Sequence, residues 1–239
     1  MESSQGGSQW AIARFREMVS QGGALALDEM SFLIAAAILN DENFDLIGQM
    51  ARLDEIAAAV PSPTVTGIAT YLFSGPDAFV ANRAEYYDPD NSLLSRVIDR
   101  HAGIPITLSI VLIEVARRLG VPLVGVAMPG HFLVGVPEAE GTIPQTFVDP
   151  FGGGAIIDER GCEKIFHALA GSQQTFDRLF LSATHPMAVI ERMLNNLKAI
   201  YVYQRDIAAL RSVMCLRSCF PGLGPAEADE FRRLMAPLN

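Results

Sequence analysis

Residues 103–136, GIPITLSIVLIEVARRLGVPLVGVAMPGHFLVGV, decide the fold because the hydrophobic pattern changes partway along them. From Pro105 to Leu119 only Glu114, Arg117 and Arg118 are charged, and the apolar residues cover nearly every face of a helical wheel. That composition belongs to a helix buried inside a domain. Proline suits its first turn, where the backbone N–H has no helical partner, and Gly120 stops it. After Gly120 the runs become short and β-branched or aromatic: VPLVGVAM, HFLVGVP, then TFVDPF and GAIID, divided by Gly, Pro and acidic turns. Short runs of this kind predict a small antiparallel sheet packed on the helix.

Upstream, WAIARFREMVSQ, EMSFLIAAAILN with Asp28 as its cap, FDLIGQMARLDEIAAAV opening near Asn43, and PSPTVTGIATYLF predict four helices. In YYDPDNSLLSRVIDRHAGIP, Asp88-Pro-Asp-Asn is read as a turn capping a short amphipathic helix that ends near Gly103. Downstream, DERGCEKIFHAL, PMAVIERMLNNLKAIYVYQ, DIAALRSVMCLRSCF capped by Asp206, and GPAEADEFRRLMAPL return to helical spacing. The fold class is α+β, with helices on both sides of one compact sheet. The division expected is a disordered N-terminus (1–8), a helical subdomain (9–82), the core (83–183) and a helical tail (184–239).

A chain of 239 residues that is half hydrophobic can bury a sizeable core unaided. Acidic residues outnumber basic ones, 27 to 18, and no Lys/Arg cluster is interleaved with aromatics, which argues against a nucleic-acid partner and against a strongly acidic one. MESSQGGSQW has neither the basic region nor the apolar run of a secretory signal, and no later stretch reaches about 18 uninterrupted apolar residues. A soluble cytoplasmic protein with no membrane partner is the expectation. Cys162, Cys215 and Cys219 form no Cys-x-x-Cys pair and are read as reduced, buried thiols; no metal or cofactor is predicted.

His131 follows a turn-making Pro-Gly, and Asp149 ends the apolar run FVD. Alone, each is more simply structural. Pairing HFLVGV with TFVDPF as an antiparallel hairpin would bring them together, the carboxylate fixing one imidazole nitrogen and leaving the other for acid–base work. A nucleophile to complete a triad is looked for at the start of the buried helix, where unpaired N–H groups and the macrodipole favour an anion.

YYDPDNSLLSRVIDRHAGIPITLSIVLIEVARRLGVPLVGVAMPGHFLVGV followed by FVDPFGGG resembles the bacterial SirB-type proteins, which have a transglutaminase-like core and tetratricopeptide-like C-terminal helices. The resemblance covers about residues 30–205 and is strongest over 86–154; the tail here is short for the family. It implies a Cys at the start of the buried helix, then a His and an Asp on successive strands. His131 and Asp149 match the last two, while the Cys position falls on Pro105, which has neither a nucleophilic atom nor a backbone N–H. Thr107 is an unfavoured substitute nucleophile. Ser109 is expected to bond the carbonyl four residues back, and Cys162 to lie on a peripheral helix.

Three functions stay open. The first is a non-catalytic, cysteine-lacking domain that binds a peptide or protein through Tyr86, Tyr87, Asn91 and Phe132 at the mouth of the old cleft. The second is an amide or ester hydrolase or acyltransferase using His131 and Asp149 with a hydroxyl or an activated water. The third is a scaffold that docks a partner on a tail face containing Leu194, Leu197 and Tyr201.

Overall fold

A computed structural model describes residues 6–22, 26–138, 141–221, 223, 229–230 and 233. Four helices open the chain: α1 (Gly6–Gln21), α2 (Leu27–Leu39), α3 (Leu46–Ala58) and α4 (Val65–Ser74). Helix α1 starts inside the stretch expected to be disordered, of which residues 1–5 lie outside the described residues. Two caps differ from expectation. Asp28 sits inside α2 rather than before it, and α3 is capped by Asp45, whose carboxylate accepts from Gly48 N, not by Asn43.

Strand β1 (Val80–Ala81) pairs in parallel with β2 (Ala102–Gly103). Between them, Asp88 caps a 3₁₀ turn (Pro89–Ser92), and α5 (Leu94–Arg100) follows without a side-chain cap. Helix α5 ends at His101, which takes up left-handed geometry at φ 48°, two residues before the Gly103 stop expected. A Cβ on Gly103 would stand 2.8 Å from Thr107 Oγ1, so this close approach to the first turn of α6 (Pro105–Arg118) requires glycine.

Helix α6 is buried from Pro105 through Ala116, as its all-round apolar composition demands. Strands β3 (Val124–Val126), β4 (Leu133–Val136), β5 (Thr146–Asp149) and β6 (Ala155–Ile157) follow in an antiparallel meander of that order. Val134 opposes Val148 and Gly135 opposes Phe147. Because side chains alternate across a strand, Val134 and Val148 join the main core with α6, whereas Val126, Leu133 and Phe147 face the other way. There they pack with Cys162 and Phe166 of α7 (Glu159–Ala170).

After a 3₁₀ turn (Arg178–Leu181) come α8 (Pro186–Gln204) and α9 (Ile207–Arg217), the latter capped by Asp206 accepting from Ala209 N. The last predicted helix, GPAEADEFRRLMAPL, falls almost wholly outside the described residues. One hydrophobic core joins Phe15 and Phe32 of the first helices, Leu108 and Val111 of α6, and Leu194, Leu197 and Val213 of the last two. Helical N-terminal region, core and tail therefore share an interior. Leu194, Leu197 and Tyr201 are buried in it, so the tail face suggested for docking is spent inside the protein.

A charged cluster locks α6 to its neighbours. Asp28 and Glu114, both buried, meet Arg118, whose guanidinium reaches Asp28 at 2.8 Å, Glu114 at 3.2 Å and Asp54 of α3 at 2.6 Å. Glu114 also accepts from Leu27 N at the start of α2. Among the described residues no helix is long and apolar enough to cross a membrane.

Candidate functional site

Met128-Pro129-Gly130-His131 forms a tight turn in which His131 N donates to Met128 O at 3.0 Å and Gly130 has φ 74°. Proline then glycine at the two central positions is the chemistry of a type II turn. The turn places His131 just before β4, while Asp149 closes β5, its neighbour in the sheet. His131 Nε2 and Asp149 Oδ1 are 2.9 Å apart, with the two residues only 6% and 7% exposed. An ionised carboxylate accepts, so Nε2 is the donor of this bond and Nδ1 is the ring nitrogen left outside it.

The turn after β5 closes on the backbone carbonyl of Asp149. Gly152 N and Gly154 N both donate to Asp149 O, and a Cβ on Gly152 would lie 2.4 Å from Asp149 Oδ2. Phe151 meets the His131 ring edge-on at 6.1 Å. Arg83 lies over Phe151, 4.4 Å from the ring centre, and donates to Phe151 O at 2.8 Å, fixing the aromatic that walls the imidazole. Tyr86 stacks edge-on against both Phe151 and Tyr87.

Next to the imidazole is a small cavity of about 40 Å³ lined by Tyr86, Ile104, Pro105, His131, Phe132, Arg192 and Asn196, among others. Pro105 and His131 thus share a wall-to-wall space, as the resemblance implies for nucleophile and base. On the other side of Tyr86 a wider cleft of about 370 Å³ runs along residues 84–89 to Gln204 at the end of α8.

Several expected roles are reassigned. Thr107 is fully buried; its hydroxyl donates to Asn91 O at 2.7 Å and accepts from Ile104 N, so it closes the start of α6 and is not among the residues lining the cavity. Asn91 is buried too: its amide donates to Glu85 O and accepts from Asn82, bracing the 82–91 loop from within rather than meeting a ligand. Phe132 is 1% exposed, held as core by the close approach of Gly125. Tyr86 and Tyr87 are exposed, as surface contacts need to be. Ser109 does not bond a backbone carbonyl; its buried hydroxyl has no partner. Cys162 lies on the far face of the sheet in an apolar cluster, and burial pushes its thiol up to about 12, which removes it as a nucleophile. Of the other thiols, Cys215 is exposed and Cys219 half-buried, contrary to the expectation that all three are covered.

Arg192 escaped the sequence reading. Its guanidinium donates to Met128 O at 3.2 Å and to His131 O at 2.8 Å, strapping both ends of the histidine turn, and lies over Phe132. The available signal was spacing: Arg192 and Asn196 stand four apart on α8, one above the other beside an apolar stripe. Among the described residues no group of three or more His, Cys, Asp or Glu side chains is placed to hold a metal.

Residues 45–195 match the family model of the transglutaminase-like superfamily. The chain belongs to that superfamily. Its curated relatives include an uncharacterised-family protein of Xylella fastidiosa, "UPF0162 protein", 38% identical over 57% of this chain and 48% of the relative. Protein SirB1 of Salmonella typhimurium is 26% identical over 75% of this chain and 60% of its own length, and F-box only protein 21 of Mus musculus is 34% identical over 51% and 19%. The chain spans about half the length of the first of these relatives. No solved structure gives a significant match. The superfamily match covers α3 through most of α8, so the transglutaminase-like region includes Arg192 and the His131–Asp149 pair together.

Proposed function

We propose that this transglutaminase-like domain is non-catalytic and holds a peptide segment of a cytoplasmic protein partner in the cleft beside Tyr86 and Tyr87, with the His131 cavity as its inner end. The observation that carries this reading is Pro105. It lines the same cavity as His131 from the first position of α6, where the superfamily pattern puts a thiol, and it offers no atom that can attack a carbonyl. Thr107, the nearest alternative, has its hydroxyl committed to Asn91 O. The exposed Tyr86 and Tyr87 and the cleft reaching Gln204 supply the amphipathic surface that peptide recognition uses. Of helices α8 and α9, read as the tetratricopeptide-like pair, the end of α8 contributes Gln204 to that cleft.

A hydrolytic reading has one specific support: Nδ1 of His131 has no hydrogen-bond partner among the described residues and so is available to a water. The two readings part in one experiment. The wild type and His131→Ala are assayed with amide and ester reporter substrates while peptide-pool binding is followed by the His131 imidazole NMR signals. The proposal expects ligand-dependent shifts and no turnover above buffer. Turnover that disappears in His131→Ala overturns it.

A further inference from the structure

Arg192 is unusual among the arginines that this fold covers. Arg118, also partly buried, is matched by three carboxylates. Arg192 meets none among the described residues: its partners are two backbone carbonyls and the face of Phe132. Burial pulls its pKa down, as expected of a cation withdrawn from water without a counter-charge. A guanidinium carries five N–H donors. The two carbonyl bonds leave three of them without an acceptor among the described residues, on a group that lines the cavity. Asn196, one turn along α8, and Tyr86 line the same space and add neutral hydrogen-bonding groups, and the unpartnered Nδ1 belongs to another of its lining residues.

We propose that Arg192, with Asn196 and Tyr86, anchors the C-terminal carboxylate of a peptide whose preceding residues lie in the cleft toward Gln204. The inference rests on the peptide-binding reading and names its ligand end. A planar carboxylate is the anion that an arginine fork matches best, and a volume of about 40 Å³ suits a group of a few heavy atoms rather than a side chain. Capture of a chain terminus also fits the layout, in which a tight cavity and a larger cleft share Tyr86 as a lining residue. Charge selects the rest of the ligand. Glu85 and Asp88 line the outer cleft and the whole chain has net charge -9, so an acidic peptide is repelled and a basic residue shortly before the terminus is favoured.

The test titrates the full chain with acetyl-Lys-Gly-Gly as the free acid and as its C-terminal amide, with an amidated peptide carrying one glutamate side chain, and with sodium acetate. Binding is read from the Arg192 Nε–H and His131 imidazole signals. The proposal expects the free acid to bind about tenfold or more tightly than the amide, equivalent to about 1.4 kcal/mol. Acetate should perturb the same signals more weakly and the glutamate peptide little. Arg192→Gln should abolish the preference for the acid. Because Arg192 also straps the histidine turn, Asn196→Leu provides a second variant that leaves the strap intact and should weaken the acid severalfold. Equal affinity for acid and amide overturns the anchor while leaving peptide binding standing. Equal affinity for the glutamate peptide overturns the assignment to a chain terminus. No response to any probe up to tens of millimolar overturns both readings.

Discussion

His131 holds Asp149 through Nε2, the arrangement a thiol base would need, and the proposed reading puts Pro105, which lines the same cavity, in the thiol's place. Restoring the thiol is therefore informative. In Pro105→Cys, the new side chain sits at the first turn of α6 beside an imidazole, and both depress a thiol pKa. Its alkylation by iodoacetamide at neutral pH, mapped by mass spectrometry against the exposed Cys215, should be about tenfold faster than in Pro105→Cys/His131→Ala. Equal rates would show that Pro105 does not occupy the nucleophile's place. Gly152 is a second sensitive position. A methyl group there collides with the Asp149 carboxylate at 2.4 Å, so Gly152→Ala should cost about 1–3 kcal/mol in urea unfolding and break the His131–Asp149 bond. The loss of that bond appears as a change in the Nε2 proton resonance; an unaltered resonance would refute the role given to the glycine.

Helix α6 was legible in its sequence because composition and both end signals agreed, and the four strands were legible because short β-branched or aromatic runs were separated by turn residues. The His131–Asp149 pair followed from the hairpin register. Arg192 was not legible, since its meaning comes from the carbonyls of a turn 61 and 64 residues away, and no local pattern reports such a meeting. Asn91 and Thr107 misled for a related reason: polar residues near a cleft in sequence turned inward to satisfy backbone groups. The Asp28 carboxylate likewise left the cap position for an ion pair inside the fold. That cluster makes the stability of the α2–α6 contact depend on pH. Burial and the neighbouring Asp28 raise the Glu114 carboxyl above its ordinary 4.5, against the pull of Arg117. In the folded state it binds a proton more readily than in the unfolded chain, so its contribution is fully present below about pH 4.5 and is lost as pH rises through the raised value. Glu114→Gln removes this dependence. Its stability relative to wild type should improve from pH 4.5 to pH 7.5 in urea titrations, and a constant difference would contradict the assignment.

At the scale of the molecule, the shared interior predicts one unfolding event. Leu197→Ala, in α8, should cost about 2–5 kcal/mol and shift a single calorimetric transition as a whole. A separate transition from the N-terminal helices, unmoved by the substitution, would show that the regions fold independently. The same interior has a consequence for how the protein is made. Helix α2 is buried along most of its length, yet part of what covers it is α8 and α9, and Phe15 of α1 rests edge-on against Phe220 at 5.9 Å. During synthesis the ribosome releases these apolar helices long before their cover exists. The apolar faces of these helices therefore stay uncovered on the nascent chain until α8 and α9 emerge.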